Sequence, residues 1–138
     1  GASGVTSLWA GVVQQRTADQ AHRELAQGNL RFASGHARHP HSSPAWVRKT
    51  GKFGQHPYAA VLCCSDSRVA PEILFDQGVG DLFTVRVARN VVNEDELASI
   101  EYAIDHLGVP LCVVLGHSNC GAVTAVVEGA TLPVEVEH

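Results

Sequence analysis

Three features are missing from this 138-residue sequence, and each absence excludes a class of protein. The 10 lysine and arginine residues are outnumbered by 14 acidic ones and form no basic stripe, so we predict no nucleic-acid partner. No apolar run approaches the roughly 18 residues that a membrane-spanning helix needs, so we predict no membrane partner. No Cys-x-x-Cys pair is present, which argues against a dithiol redox enzyme.

What remains is the composition of an ordinary globular protein, with 45% hydrophobic and 17% charged residues. At this length we expect one domain with a core of its own, over residues 17–138. Residues 1–16 lack the charged start of a signal peptide, so we interpret them as an N-terminal extension or tag remnant. The expected location is cytoplasmic, and a periplasmic or secreted location after signal removal stays open.

Apolar runs alternate with helical patterns from residue 58 onward. The predicted strands cover residues 58–64, 82–88 and 111–115, and the predicted helices cover residues 71–77, 94–107 and 121–128. Continuous apolar strands joined by helices are typical of a parallel sheet with right-handed crossovers. The predicted fold class is therefore α/β, with a β-sheet flanked by helices.

The first half of the chain predicts one helix and one long loop. Thr17 and Gln20 resemble a capping box, and apolar residues at spacings of three and four predict an amphipathic helix over residues 18–34. Residues 35–55 are rich in Gly, Pro, Ser and His and are predicted to be a loop. The three histidines of its HARHPH segment could bind a metal, but we expect a solvated loop because no helix or strand fixes their geometry.

Potential metal ligands follow two of the predicted strands. Cys64 ends the first apolar run, and Asp66 and Arg68 come directly after it. His117 and Cys120 follow the run that ends at residue 115. Because parallel strands place their carboxyl ends at one edge of the sheet, we expect these side chains to share one site.

Two thiolates and an imidazole are a donor set that suits zinc. Structural zinc sites are normally closed by four Cys or His ligands, whereas here a fourth position is left for water or for Asp66. This favours a catalytic zinc, with a structural zinc and a metal-free thiol role as alternatives. The other two cysteines, Cys63 and Cys112, lie within apolar runs and are predicted to be buried core residues.

Asp66 and Arg68 have two possible roles. They could form a simple surface ion pair, which would contribute under about 1 kcal/mol. Alternatively they form a switch, in which Arg68 holds the carboxylate away from the metal and leaves room for water.

With these motifs the chain resembles the β-class carbonic anhydrases, zinc enzymes that interconvert carbon dioxide and bicarbonate. The family's Cys-x-Asp-x-Arg stands at residues 64–68, and its His-x-x-Cys stands at residues 117–120, followed by Gly121. The resemblance runs from about Leu25 to Glu128. It includes the segments LAQGNLRF, GQHP, CSDSRVAPE, FDQGVGDLFTVR, IEYAIDHLG and VVLGHSNCGAV.

The resemblance implies a role for each matching residue. One Zn²⁺ per chain would be held by Cys64, His117 and Cys120, with Asp66 as a possible fourth ligand in a closed state. Asp66 and Arg68 would form the catalytic dyad. The implied substrate-binding residues are Gln55, Gly121, Phe83, Ala88 and Tyr102.

The resemblance also implies a larger assembly and a particular zinc state. Helix 18–34 would act as a dimerisation arm across a neighbouring subunit, in a homodimer or a multiple of dimers, and the sheet would be mixed at its edge. Val61 stands where one subgroup of the family has a Trp tied to a noncatalytic bicarbonate site, so we expect an open, water-bearing zinc. Arg89 replaces a residue that is usually small, and the chain is C-terminally short relative to the family.

The function implied by the resemblance is the reversible hydration of carbon dioxide to bicarbonate and a proton by a zinc-bound hydroxide. The protein would then be a carbonate dehydratase, which is a zinc lyase. Two alternatives remain at this point: a carbonyl sulfide or carbon disulfide hydrolase on the same scaffold, and a non-catalytic, zinc-stabilised assembly protein.

Overall fold

The computed structural model of the chain describes residues 15–88 and 92–129. Its helices and strands alternate along most of that length. The helices are α1 (Ala18–Ala33), α2 (Pro44–Phe53), α3 (Pro71–Leu74), α4 (Glu94–Asp105) and α5 (Gly121–Val127), and the strands are β1 (Ala59–Cys64), β2 (Leu82–Val87) and β3 (Cys112–Leu115). Every strand and helix predicted from residue 58 onward is present, with ends shifted by at most three residues.

The three strands form one parallel sheet in the order β2-β1-β3. The central strand β1 is buried along its whole length, as its unbroken apolar sequence predicts. At its carboxyl end Cys64 is paired with Val87, and Cys63 is paired with Leu115. The predicted α/β fold with a parallel sheet is confirmed, and the described strands include no antiparallel one at the edge.

Helix α1 begins at the predicted capping box, in which the Thr17 hydroxyl accepts from the Gln20 N–H and the Gln20 side chain accepts from the Thr17 N–H. Its buried face consists of Ala21, Leu25 and Gly28. Gly28 lies so close to the Phe75 carbonyl that an added Cβ would overlap the oxygen. A glycine is therefore required where α1 meets the end of α3.

Asp76 connects α1 to the loop that follows it. Its carboxylate is buried and accepts hydrogen bonds from Arg31 Nε at 2.6 Å and from the backbone N–H groups of Arg38 and His39 at 2.9–3.1 Å. Burial alone would raise the pKa of this carboxyl group, but the hydrogen bonds outweigh it and lower the pKa to about 2. Three chain segments are thus joined by one charged group.

The prediction that residues 35–55 form a loop throughout is wrong, because α2 lies within them. Ser43 caps this helix by accepting from the Trp46 N–H, and Pro44 occupies its first position. The indole N–H of Trp46 donates to the Val79 carbonyl at 2.6 Å and attaches α2 to the loop before β2. The Gly, Pro, Ser and His content predicted a loop, although Ser43 followed by Pro44 is also a common start of a helix.

The prediction of burial is confirmed for Cys63 and wrong for Cys112. Cys63 lies on the central strand, whereas Cys112 lies on the edge strand β3, whose residues alternate between exposed and half-buried. Val114, on the same face as Cys112, is 63% exposed. An apolar run therefore predicted the strand correctly but not its position at the edge of the described sheet.

Two further sequence predictions fall largely or wholly outside the described residues. The N-terminal extension at 1–16 is described only for residues 15 and 16, and Arg89 is not described. No helix within the described ranges is long and apolar enough to cross a membrane. The assignment of residues 17–138 to one domain stays a prediction.

Candidate active site

Two chain segments bring three metal-binding side chains together at the carboxyl edge of the sheet. Cys64 is the last residue of β1, and His117 and Cys120 lie in the turn between β3 and α5. Because β3 runs parallel to β1 and pairs with it, both segments leave the sheet at the same edge. The ligand atoms of the three residues lie within 4.8 Å of one another, and the two sulfur atoms are 3.8 Å apart.

The orientation of His117 suits metal binding. Its Nδ1 donates to the Ser118 carbonyl at 2.9 Å, which leaves the lone pair on Nε2. Nε2 is buried and makes no well-formed hydrogen bond with any residue described. The Cys64 sulfur lies close enough to raise the pKa of the imidazole. A buried nitrogen acceptor facing two sulfur atoms is what a metal ion would satisfy.

Arg68 holds Asp66 in a two-point ion pair. Its Nε and one terminal nitrogen donate to the two carboxylate oxygens at 3.0 and 2.7 Å, and its backbone N–H donates to the first oxygen at 2.9 Å. The same guanidinium donates to the Asn119 carbonyl at 2.9 Å. The hydrogen bonds from Arg68 hold the pKa of Asp66 well below its usual range. Arg68 therefore also connects the two segments that carry the potential ligands.

Arg86 on β2 supports this turn and was missed in the sequence. Its guanidinium donates to the backbone carbonyls of Cys64 at 3.2 Å and of Asp66 at 2.9 Å. The Asp66 N–H in turn approaches the Cys64 sulfur at 3.4 Å, which favours a thiolate there. A lone charged residue within the apolar run LFTVRV was the available signal, because such a residue needs a partner close to the strand.

The five residues predicted to bind substrate fall into two groups. Ala88 follows Val87, which pairs with Cys64, and Gly121 follows Cys120, so both are at the edge of the sheet that carries the potential ligands. The other three residues, Gln55, Phe83 and Tyr102, lie toward the amino ends of the strands. Gln55 precedes β1 and is exposed, Phe83 pairs with Ala60, and the rings of Phe83 and Tyr102 are 6.1 Å apart.

Comparison with known proteins identifies the family. A family model described as carbonic anhydrase matches residues 59–137. Among solved structures, the β-carbonic anhydrase CcaA is 34% identical, with a TM-score of 0.58 over 78% of this chain and 53% of that chain. The chain belongs to the β-class carbonic anhydrase family.

Two curated carbonic anhydrases share about half of their aligned residues with this chain. Carbonic anhydrase 2 of Mycobacterium tuberculosis is 49% identical over 116 residues, which is 82% of this chain and 56% of the relative. A carbonic anhydrase of Mycolicibacterium smegmatis is 52% identical over 105 residues, covering 76% and 50% respectively. The chain thus spans about half the length of the curated relatives it matches.

β-Carbonic anhydrases use zinc, and the donors in this chain fit it. Two sulfur atoms and one imidazole nitrogen match the preferences of Zn²⁺, and three protein ligands leave one position of a tetrahedron open. The carboxylate of Asp66 is bound by Arg68 and is not part of the three-residue group. The HARHPH histidines form no such group within the described ranges.

Proposed function

We propose that this protein catalyses the reversible hydration of carbon dioxide to bicarbonate and a proton, as a carbonate dehydratase. The observation that carries the proposal is the convergence of Cys64, His117 and Cys120 beside a charged Asp66–Arg68 pair. These three donors would hold one zinc ion and leave a fourth position for water. Neither a carbonyl sulfide hydrolase nor a non-catalytic assembly protein has an observation in its favour.

The dyad would hold the fourth position open. When bound, zinc supplies a Lewis acid that lowers the pKa of its water to about 7, a value known from carbonic anhydrases with three histidine ligands. Arg68 draws the Asp66 carboxylate toward itself, and its hydrogen bonds keep that group ionised at neutral pH. An ionised carboxylate at this point can accept a hydrogen bond from the reacting water and so orient it.

Two groups at the same edge would receive the substrate. The Gly121 N–H begins α5 next to Cys120 and would donate to an oxygen of bicarbonate. Ala88 offers a small apolar surface at the end of β2, which suits a neutral molecule such as carbon dioxide. The chemistry needs no further charged group to hold carbon dioxide, because the molecule carries no net charge.

The remaining substrate-binding residues would act across a subunit boundary. β1 alone spans about 20 Å between the end near Gln55 and the end at Cys64, so Gln55 is remote from the three donors of its own chain. Phe83 is four residues, or about 13 Å, before the end of β2. These residues could line a site with the three donors only if they came from a second subunit. In the homodimer that we propose, a two-fold axis brings the amino end of β1 and β2 of one chain to the three donors of the other.

Helix α1 would contribute to this dimer as an arm. Leu30 is 68% exposed and Phe32 is half-exposed near its carboxyl end, an apolar surface that a second subunit would cover. Analytical ultracentrifugation at micromolar concentration should show a dimer or a multiple of dimers. A monomer at that concentration would argue against an active site that is lined by residues of two subunits.

Stopped-flow measurement of carbon dioxide hydration tests the function directly. We expect one zinc per chain and a rate above that of buffer for the zinc-loaded protein. Cys64→Ser should abolish both, whereas Cys112→Ser, which removes an exposed thiol remote from the donors, should change neither. A zinc-loaded dimer with the rate of buffer alone would refute the proposal.

A further inference from the structure

Arg86 is the only charged residue of β2, and it contacts backbone rather than a carboxylate. It forms no ion pair with any residue that the structure describes. Its guanidinium donates instead to two carbonyl groups of the turn after β1, through Nε to Cys64 at 3.2 Å and through a terminal nitrogen to Asp66 at 2.9 Å. The planar fork of an arginine suits such a two-point contact. Arg86 therefore acts on the path of the backbone next to the metal donors.

The two contacts fix the peptide groups on both sides of this turn. The first held carbonyl belongs to the peptide group whose N–H, that of Ser65, donates to the Val87 carbonyl at 2.8 Å. The second held carbonyl, that of Asp66, also accepts from the Val69 N–H at 3.0 Å. Each of these two peptide groups thus has two hydrogen bonds, of which Arg86 supplies one. Without Arg86 both groups would lose a donor at once.

The position of the Asp66 carboxylate depends on this backbone. An aspartate side chain has only two rotatable bonds, so its carboxylate follows the placement of its Cα atom. The metal donors are close by, because the Asp66 N–H is 3.4 Å from Cys64 Sγ. A carboxylate is itself a competent zinc ligand. A loosened turn would therefore allow Asp66 to leave Arg68 and compete for the open position.

We propose that Arg86 is a positioning residue, which keeps the Asp66 carboxylate on Arg68 and away from the metal by holding the carbonyls of Cys64 and Asp66. The inference rests on the proposed zinc site and dyad and assigns to Arg86 no contact with the metal or the substrate. A residue that only stabilised the fold would not control access to the fourth position. Access to that position is therefore the property to measure.

Azide titration of the cobalt-loaded protein measures this access without carbon dioxide. Cobalt(II) takes tetrahedral sites like those of zinc, and its visible absorption changes when a small anion enters the open position. We expect a saturable change in the wild type. Arg86→Met should bind azide about tenfold more weakly, because Asp66 then competes for the same position. Unchanged azide affinity in Arg86→Met would refute the inference.

A second substitution separates competition by Asp66 from the simple loss of a positive charge. Asp66→Asn removes the competing anion and keeps the size of the side chain. In the Asp66→Asn background, Arg86→Met should cause no further loss of azide affinity. If the lost charge or a disturbed fold were the cause, the loss would be as large in this background as in the wild type, and that result would overturn the inference.

Two further variants complete the test. Arg86→Lys keeps the charge, but a single ammonium group lacks the fork that reaches two carbonyls, so it should also weaken azide binding, and only while Asp66 is present. This milder change serves if Arg86→Met does not fold, and wild-type affinity in Arg86→Lys would refute the argument from two held carbonyls. Arg48→Met, at an exposed position of α2, should bind azide like the wild type, and a loss equal to that of Arg86→Met would also refute it. Because the titration contains no carbon dioxide, its failure leaves the hydration test of the proposed function unaffected.

Discussion

Replacing Asp76 by asparagine tests whether one buried charge holds the first helix to the sheet domain. Asparagine matches the size of aspartate and also tolerates the left-handed backbone that Asp76 adopts, with φ of 48°. The substitution therefore removes the negative charge with little change in backbone strain. Arg31 and the backbone N–H groups of Arg38 and His39 would lose their charged acceptor.

The magnitude follows from the pKa of the carboxyl group. A free aspartate has a pKa of about 3.9, and the folded protein lowers it to about 2. A difference of about two units corresponds to about 2–3 kcal/mol of stability contributed by the ionised group. We expect Asp76→Asn to lower the free energy of unfolding at pH 7 by about that amount.

The sign of the pH dependence is also determined. Because the folded state has the lower pKa, the contribution is complete above about pH 5 and is lost as the pH falls toward 2. Urea unfolding of the wild type and Asp76→Asn at pH 7, 5, 4 and 3 should show a gap that is constant at first and about half as large at pH 3. Zinc loss in acid affects both proteins and cancels in the comparison.

Two results would refute this reasoning. A gap below about 0.5 kcal/mol at pH 7 would mean that the charge contributes little beyond ordinary hydrogen bonding. A gap that stays constant from pH 5 to pH 3 would mean that titration of Asp76 is not its source.

Three further predictions concern the ligands, the dyad and α1. Cys120→Ser should lose its zinc by elemental analysis, because one of three protein donors is removed. Arg68→Ala should keep its zinc but lose at least about tenfold in hydration rate in stopped flow, because Asp66 loses both side-chain hydrogen bonds. Gly28→Ala should lower the free energy of unfolding by about 3 kcal/mol in urea, because its Cβ overlaps the Phe75 carbonyl.

Each of these predictions has a control and a contrary result. Full zinc in Cys120→Ser would exclude that residue as a ligand, and Cys112→Ser should retain zinc. An unchanged hydration rate in Arg68→Ala would show that Asp66 and Arg68 form only a surface ion pair and take no part in the reaction. Gly51→Ala, in α2 with open space around it, should not destabilise the protein. A similar loss at both glycines would remove the steric explanation for Gly28.

Much of the candidate site was predictable because its residues are close together along the chain. Cys64, Asp66 and Arg68 span five residues, and His117 and Cys120 span four, each directly after an apolar strand. The rule that parallel strands end at one edge was then enough to predict that the two segments meet. The start of α1 was equally local, since a capping box needs only residues three apart.

Tertiary structure alone decided which residues support the site and which faces are covered. Arg86 contacts carbonyl groups 20 and 22 residues away, and Asp76 joins segments 37 to 45 residues distant, so no local pattern identifies the partners of either residue. The exposure of Cys112 depended on the order of strands. Spacing along a chain specifies local hydrogen bonds and strand ends, whereas burial and distant partners depend on packing between elements.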